Sequence, residues 1–187
     1  MSFKMKALSV ALIATASFAS AGAFAAASST TVAGGTVHFT GEVVDAACVV
    51  DTGSQEQTVE LGQVKMADLA AAGDIANTKQ FNITLDDCST TAASTAAVSF
   101  NGTVDATDPT ALAVSSITTP GNAATNVGIQ ILSDSKVITP NGGETSSPIT
   151  LVDGTNVLPF NAQFVATGGA ATAGAADADA TFNITYN

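Results

Sequence analysis

Arginine and tryptophan are absent from this chain, histidine and tyrosine occur once each, and cysteine occurs twice. Of the five basic residues, Lys4 and Lys6 lie in an N-terminal leader-like segment, which leaves Lys65, Lys79 and Lys136 against 16 acids. Loss of the leader takes the formal charge from −11 to about −13. Such a surface repels phosphate backbones and anionic headgroups, so neither nucleic acid nor a membrane surface is expected as a partner.

Catalytic machinery is equally sparse. His38 is the only histidine, so a Ser-His-Asp or Cys-His site has a single base to draw on, and that base sits on the polar side of an alternating segment. There is no G-x-S-x-G, Walker-type glycine loop, H-E-x-x-H or metal-type Cys/His cluster. The closest acid pairs, Asp86-Asp87 and Asp177-x-Asp179, lack the series of spaced oxygen ligands that calcium requires, and they read as turn and solvent-face acids. Asn82-Ile83-Thr84, Asn101-Gly102-Thr103 and Asn183-Ile184-Thr185 fit the N-glycosylation pattern, but two of the three lie in strand candidates. No catalytic residue, metal or cofactor is expected, and the chain reads as a structural or interaction protein.

What is present is strand after strand. Ala33 to Val43 alternates without interruption, with Val37, Phe39, Gly41 and Val43 on one side and Thr36, His38, Thr40 and Glu42 on the other, the period of a half-buried β-strand. The last twelve residues do the same, with Ala176, Ala178, Ala180, Phe182, Ile184 and Tyr186 on one face. Further strand candidates are Val43 to Val50, Thr58 to Val64, Gln80 to Leu85, Ala96 to Gly102, Ala111 to Ile117, Val127 to Leu132, Ile149 to Val152 and Val157 to Ala166. Asp86-Asp87, Asp108-Pro109, Pro120-Gly121, Asn141-Gly142-Gly143 and Asp153-Gly154 mark turns, and Gly168 onward a loop. Lys65 to Ala72 suits one or two helical turns stopped at Gly73. The expected class is one all-β domain, a sandwich.

The start of the chain has a separate role. Lys4 and Lys6, an apolar run from Ala7 to about Phe18 and the small-residue end Ala23-Phe24-Ala25 make residues 1–25 a signal peptide, cleaved after Ala25 with Ala21 or Ala27 as alternative last residues. The apolar run is too short to favour a membrane anchor. An exported chain with two cysteines joins them, so Cys48 and Cys88 are expected as a disulfide that ties the Val43 to Val50 strand to the Gln80 to Cys88 strand.

Between leader and domain, residues 26–42 form an arm. If Val43 to Val50 opens the domain, Ala33 to Gly41 runs outward by roughly 30 Å at about 3.3 Å per residue. An arm of that length leaves its apolar face in water unless another molecule offers an open sheet edge. Gly41 stands on the inward face where a β-branched or aromatic residue is usual. Either the acceptor backbone comes close there, or the chain bends between arm and domain.

The arm with Phe39-x-Gly41-x-Val43, Cys48 seven residues after Gly41, the second cysteine forty residues on, Gly174 fourteenth from the end and penultimate Tyr186 together resemble the chaperone-usher fimbrial subunits. Segments 34–39, 44–48, 61–64, 125–128 and 178–182 are similar to the major subunit of type 1 fimbriae. The resemblance implies an incomplete immunoglobulin-like sandwich with six strands of its own and a seventh supplied as a donor strand. It further implies export through the periplasm to a fimbrium on the bacterial surface, with identical subunits in a helical homopolymer, a periplasmic chaperone, an outer-membrane usher and minor tip subunits as partners. By position, Val37, Phe39, Gly41 and Val43 would be donor side chains and 43–187 the pilin domain. Gly174, Phe182, Ile184 and Tyr186 would belong to the acceptor and chaperone-binding edge, with the terminal carboxylate of Asn187 as chaperone anchor. A short adaptor or tip-associated subunit is the alternative role, and an enzyme the third.

Overall fold

A computed structural model describes residues 30–41, 43, 46–116 and 121–187. The leader and the Pro120-Gly121 turn's first residue lie outside that set, as do Glu42, Val44 and Asp45. The chain separates into two units, Met1–Gly41 and Glu42–Asn187. In the first, residues 30–41 are exposed and carry no strand pairing.

Among the described residues the second unit holds ten strands: β1 (Val49–Val50), β2 (Ile75–Cys88), β3 (Thr95–Gly102), β4 (Leu112–Ala113), β5 (Val127–Ser133), β6 (Lys136–Ile138), β7 (Asn141–Thr145), β8 (Ile149–Thr150), β9 (Gly154–Ala166) and β10 (Ala180–Tyr186). Six of them, β2, β3, β5, β7, β9 and β10, run five residues or more. One sheet has the order β1-β2-β9-β5-β4 with β6 on β5; the other has β10-β3-β7 with β8 on β3. All these pairings are antiparallel, and the two sheets face each other as an immunoglobulin-like sandwich.

Alternation explains the core. Ile83 and Leu85 of β2, Val98 and Phe100 of β3, and Leu158 and Phe160 of β9 point inward and are buried. Phe160 is the hinge of an aromatic cluster, stacked on Phe81 at 5.7 Å and edge-on to Phe100 at 5.3 Å. Phe100 continues the contact to Phe182 of β10, ring centroids 6.4 Å apart. These offset and edge geometries suit the ring quadrupoles and add to the burial term.

Several expected boundaries moved, each for a local reason. Of the expected Val43 to Val50 strand, Val49–Val50 is a strand, Ala46 to Cys48 is a bend, and Val44 and Asp45 lie outside the described residues; Asp51 then turns the chain into a four-residue helix α1 (Thr52–Gln55), its side chain accepting from Gly53 N at 2.9 Å. Thr58 to Val64 is not a strand. Leu61 is buried, but the carbonyls of Leu61 and Gln63 are taken by the Asn77 side chain, which does the work of a neighbouring strand. Asp86-Asp87 is a bulge inside β2 and not a turn, with Asp87 at φ 52°. The Asn141-Gly142-Gly143 signal likewise falls inside β7, where Gly142 at φ 76° marks an irregularity in pairing with β3. Within Ala111 to Ser116, and within Ile149 to Val152, the strands are β4 and β8, while Ile117 lies outside the described residues. The hairpin β5–β6 was missed: Asp134 and Ser135 both have positive φ, the demand of a type I′ turn that Asn-Gly normally signals. Within Lys65 to Ala72 a 3-10 turn does form, at Met66–Leu69, and Gly73 follows at φ 88°.

The disulfide is present: Cys48 and Cys88 are bonded, 40 residues apart in sequence. Val49 pairs with Asp86, so the bridge closes the sheet end that β1 holds by only two residues. Closing a loop of that length stabilises the fold by about 4 kcal/mol on the chain-entropy account. Replacing both cysteines by Ser should lower the unfolding free energy of the domain by about that amount, read from chemical denaturation with the slope fitted for each protein, since the unbridged denatured chain is more open.

An ion pair on the surface links the two sheets. Lys136 of β6 donates to Glu144 of β7 at 3.0 Å and Thr139 N to the same carboxylate at 3.2 Å. The hydrogen bond from Lys136, then those from Thr139, lower the Glu144 pKa from 4.5 to about 2. A depressed carboxylate stabilises the fold above its unfolded value and stops doing so as pH falls through the folded one. The melting-temperature gap between the native chain and Glu144→Gln should be open at neutral pH, shrink below 4.5 and close near 2.

Candidate functional site

The feature that stands out is the edge formed by β10. It pairs with β3 along its whole length, from Ala180↔Gly102 to Tyr186↔Ala96, and with no other strand among the described residues. Beyond it, Asn187 N donates to Thr95 O at 3.0 Å while Thr95 N donates to Asn187 O at 2.9 Å. Residues that exchange both bonds alternate with residues that exchange none. Counting back from Asn187, the bonded pairs are Thr185–Ala97, Asn183–Ser99 and Thr181–Asn101. The N–H and C=O groups of Phe182, Ile184 and Tyr186 therefore point away from β3, toward the free edge.

The side chains of the same three residues point inward. They pack against the core yet remain only half-buried, whereas Val98 and Phe100 beside them on β3 are buried outright. Ala176 and Ala178 extend the half-buried row. Backbone and side chains of β10 thus offer one continuous surface: polar groups at the edge, an apolar strip behind it. Burial raises the Tyr186 pKa, and its hydroxyl donates to Cys48 O at 3.5 Å, which places the disulfide at the C-terminal end of the strip. At that end Ser94 N and Thr95 N both donate to Asn187 O.

At the other end a cleft of about 430 Å³ opens, lined by residues that include Leu69, Val127, Phe164 and the Gly174 to Asp177 segment. Gly174 is therefore not on β10 itself but leads into it. A Cβ there would lie 2.9 Å from Ala123 O and closer still to Ala124 N, so only glycine lets the two backbones meet. The parallel bridge Ala123↔Ala175 and the bond from Ala124 N to Ala175 O at 2.8 Å depend on that approach.

The expected donor residues show complementary character. Val37 is 73% exposed, Phe39 91% and Val43 100%, large apolar side chains left in solvent. Gly41 does not take a positive φ, and a Cβ built on it meets nothing within 4 Å among the described residues. His38 is exposed, and no group of three or more His, Cys, Asp or Glu that could hold a metal occurs among the described residues. Sequence reasoning found the β10 strip from its period-two pattern but missed Ser94 and Thr95, which hold the C-terminus through backbone N–H groups and, more weakly, their hydroxyls, from a turn more than ninety residues away in sequence.

An incomplete sandwich with one unpaired apolar edge defines a class of subunit built to take a strand from outside. The family model described as "Fimbrial protein" matches residues 37–187. The chain is 50% identical over 185 residues to the type-1 fimbrial protein A chain of Escherichia coli, covering 98% of this chain and 99% of that one. It is 50% identical to the fimbrial subunit type 1 of Klebsiella pneumoniae over the same length and coverage. Among solved structures, a chaperone-usher pilus subunit aligns at TM-score 0.70 and 28% identity, covering 85% of this chain and 100% of that one. The P pilus rod subunit PapA aligns at TM-score 0.64 and 28% identity, covering 76% and 100%. The chain belongs to the fimbrial protein family, whose members are exported and form surface pili. Within it, similarity runs through the type-1 major subunits, which marks this chain as a structural shaft subunit. No helix of the described residues is long and apolar enough to cross a membrane.

Gly174→Ala should force the Ala123–Ala124 backbone aside and destabilise the domain by about 1 to 3 kcal/mol, the usual cost of overpacking. Thermal melts of the purified variant, compared with Gly169→Ala in the same loop region, check this.

Proposed function

We propose that the chain polymerises by donor-strand exchange, its arm (residues 26–42) entering the open edge of the pilin domain (residues 43–187) of a neighbouring copy. The observation that carries the reading is the β10 edge, where Phe182, Ile184 and Tyr186 present free backbone groups and half-buried side chains together. A strand laid there would pair the free groups and cover the strip, and Val37, Phe39, Gly41 and Val43 supply the matching period. Burying one aliphatic or aromatic side chain contributes roughly 1.5 to 3 kcal/mol, so several along one strand outweigh the ordering of the arm.

On this reading residues 1–25 are the export signal. A periplasmic chaperone holds the edge first, with the Asn187 carboxylate as anchor and Gly174 shaping the far end. An outer-membrane usher then exchanges chaperone for arm, and minor subunits sit at the tip. The role is structural, and no residue is assigned a chemical step.

Gly41 gives the discriminating test. Its conformation and surroundings in its own chain do not demand glycine. The demand then comes from the acceptor, where an added side chain would be buried without partners. Arm peptides spanning 26–44 should displace the chaperone from chaperone-bound subunits, while the Gly41→Asn peptide should do so roughly fivefold to 150-fold more slowly, the effect of about 1 to 3 kcal/mol for an unpaired buried amide. Equal exchange by both peptides contradicts the assignment of Gly41 to the inserted strand.

A further inference from the structure

Two Asn-Gly steps occur in the chain, Asn101-Gly102 and Asn141-Gly142, and the fold sets them side by side: Asn101 of β3 is the register partner of Asn141 of β7. An Asn-Gly step is open to attack by its own backbone. Glycine has no Cβ to keep its nitrogen away from the asparagine side-chain carbonyl, and its free dihedrals let the peptide turn into the attacking geometry. Whether such a step reacts depends on how the chain around it is held, and these two are held differently.

Asn101 lies on an inner strand, between β10 and β7. Its carbonyl accepts from Thr181 Oγ1 at 3.2 Å, and the attacking nitrogen, Gly102 N, is already committed to Pro140 O at 3.0 Å. A Cβ on Gly102 would lie 2.7 Å from Asp179 O, so this peptide has no room to turn. The one Asp-Gly step, Asp153-Gly154, is also locked, with Asp153 Oδ1 accepting from both Thr90 N at 2.7 Å and Thr90 Oγ1 at 2.8 Å.

Asn141 has none of that restraint. It opens β7, which pairs only with β3 among the described residues, and Asn141, Gly142 and Gly143 are all exposed. The pairing is irregular there, with a register shift between Ser99 and Asn101 and Gly142 at φ 76°. Asn141 Oδ1 accepts from Gly143 N at 2.8 Å, an Asx turn that folds the carboxamide back over the peptide it would react with. The same N–H polarises the side-chain carbonyl and is placed to stabilise the negative charge that attack puts on Oδ1.

We propose that Asn141 is a site of spontaneous deamidation, an age-dependent modification of the exported subunit, and that Asn101 beside it is protected by the fold. Gly142 N loses its proton to water or hydroxide and forms a bond to Asn141 Cγ; the Cγ–Nδ2 bond breaks, and the nitrogen takes up a proton and leaves as ammonia. Water then opens the five-membered imide. Opening at Cγ leaves aspartate, and opening at the main-chain carbonyl leaves isoaspartate, with one extra carbon in the backbone. The net change is one water consumed and one ammonia released, with no oxidant or reductant. Each conversion adds a carboxylate to β7, three residues from Glu144, and isoaspartate also shifts the pairing with β3. Because β3 separates β7 from β10, the edge that takes a strand is untouched.

The test holds filaments of the full-length chain at mildly alkaline pH, beside the same chain in denaturant and an Asn141→Gln variant. Peptide mass mapping reads the amide-to-acid change at each site, and enzymatic methyl transfer counts isoaspartate. The expected result in filaments is conversion at Asn141 at least about tenfold faster than at Asn101, a barrier difference of ~1.4 kcal/mol. In denaturant the two sites should convert at similar rates, since only the fold separates them. The rate at Asn141 should rise with pH, because the attacking nitrogen must lose its proton. Asn141→Gln should abolish the signal in that peptide, as the larger ring forms far more slowly. The ladder of subunit multiples resisting mild detergent should not change as conversion proceeds. An Asn141 that keeps its amide in filaments over a time in which it converts in denaturant overturns the proposal, as does equal conversion of Asn101 in filaments. A ladder lost in step with conversion contradicts the separation of this site from the β10 edge, whereas a parent chain with no ladder at the outset contradicts strand exchange and leaves the two conversion rates to decide the proposal.

Discussion

The backbone groups of Phe182, Ile184 and Tyr186 have no strand to pair with among the described residues, and the side chains of those residues have no sheet layer to finish covering them. Both deficits fall on one strand because the register with β3 puts the free N–H and C=O groups on the inward-facing residues. Ordinary proteins blunt such an edge with charge, proline or a bulge. Here β10 has none of these: it is seven residues long and uncharged. The edge is kept open and sticky, and the rest of the domain is arranged to hold it so.

That arrangement is visible in what flanks the strip. At one end the terminal residue is tied to Ser94 and Thr95, and Tyr186 rests on the carbonyl of a disulfide-bonded cysteine. At the other, Gly174 lets the incoming segment press against Ala123 and Ala124. Behind it, Phe182 leans on Phe100, which leans on Phe160, which is wholly buried between the sheets. A strand missing its partner is thereby held in register by covalent, backbone and aromatic contacts that do not need the partner. The cost of the open edge is the exposure of apolar surface, which strand addition would recover.

How much of this the sequence disclosed depended on whether a residue's neighbours are local. The clean alternation at Phe81, Ile83 and Leu85 and at Phe182 to Tyr186 named strands and their inward faces, because one-sided burial repeats every second residue, while Val127 to Leu132 showed as a short apolar run, buried on both faces. The two-residue strands β1, β4 and β8 were blurred, since their ends are set by what they pair with. Thr58 to Val64 failed for the same reason: its carbonyls went to Asn77, sixteen and fourteen residues away. Asp134-Ser135 hid a hairpin because it makes a tight turn without glycine. The missing seventh strand came from family resemblance, as no single chain's pattern records a strand it does not contain, and Ser94 and Thr95 meet Asn187 only across some ninety residues of sequence.

The central claim is that the free edge of β10 is satisfied only by another chain's strand. Residue-resolved amide hydrogen exchange at Phe182, Ile184 and Tyr186 tests it most directly, comparing arm-deleted subunit alone with the same subunit after addition of the 26–44 peptide. The account predicts fast exchange at these three amides in the subunit alone and strong protection in the complex, with Thr181, Asn183 and Thr185, already bonded to β3, protected in both. Protection of Phe182, Ile184 and Tyr186 that does not change on peptide binding would contradict it.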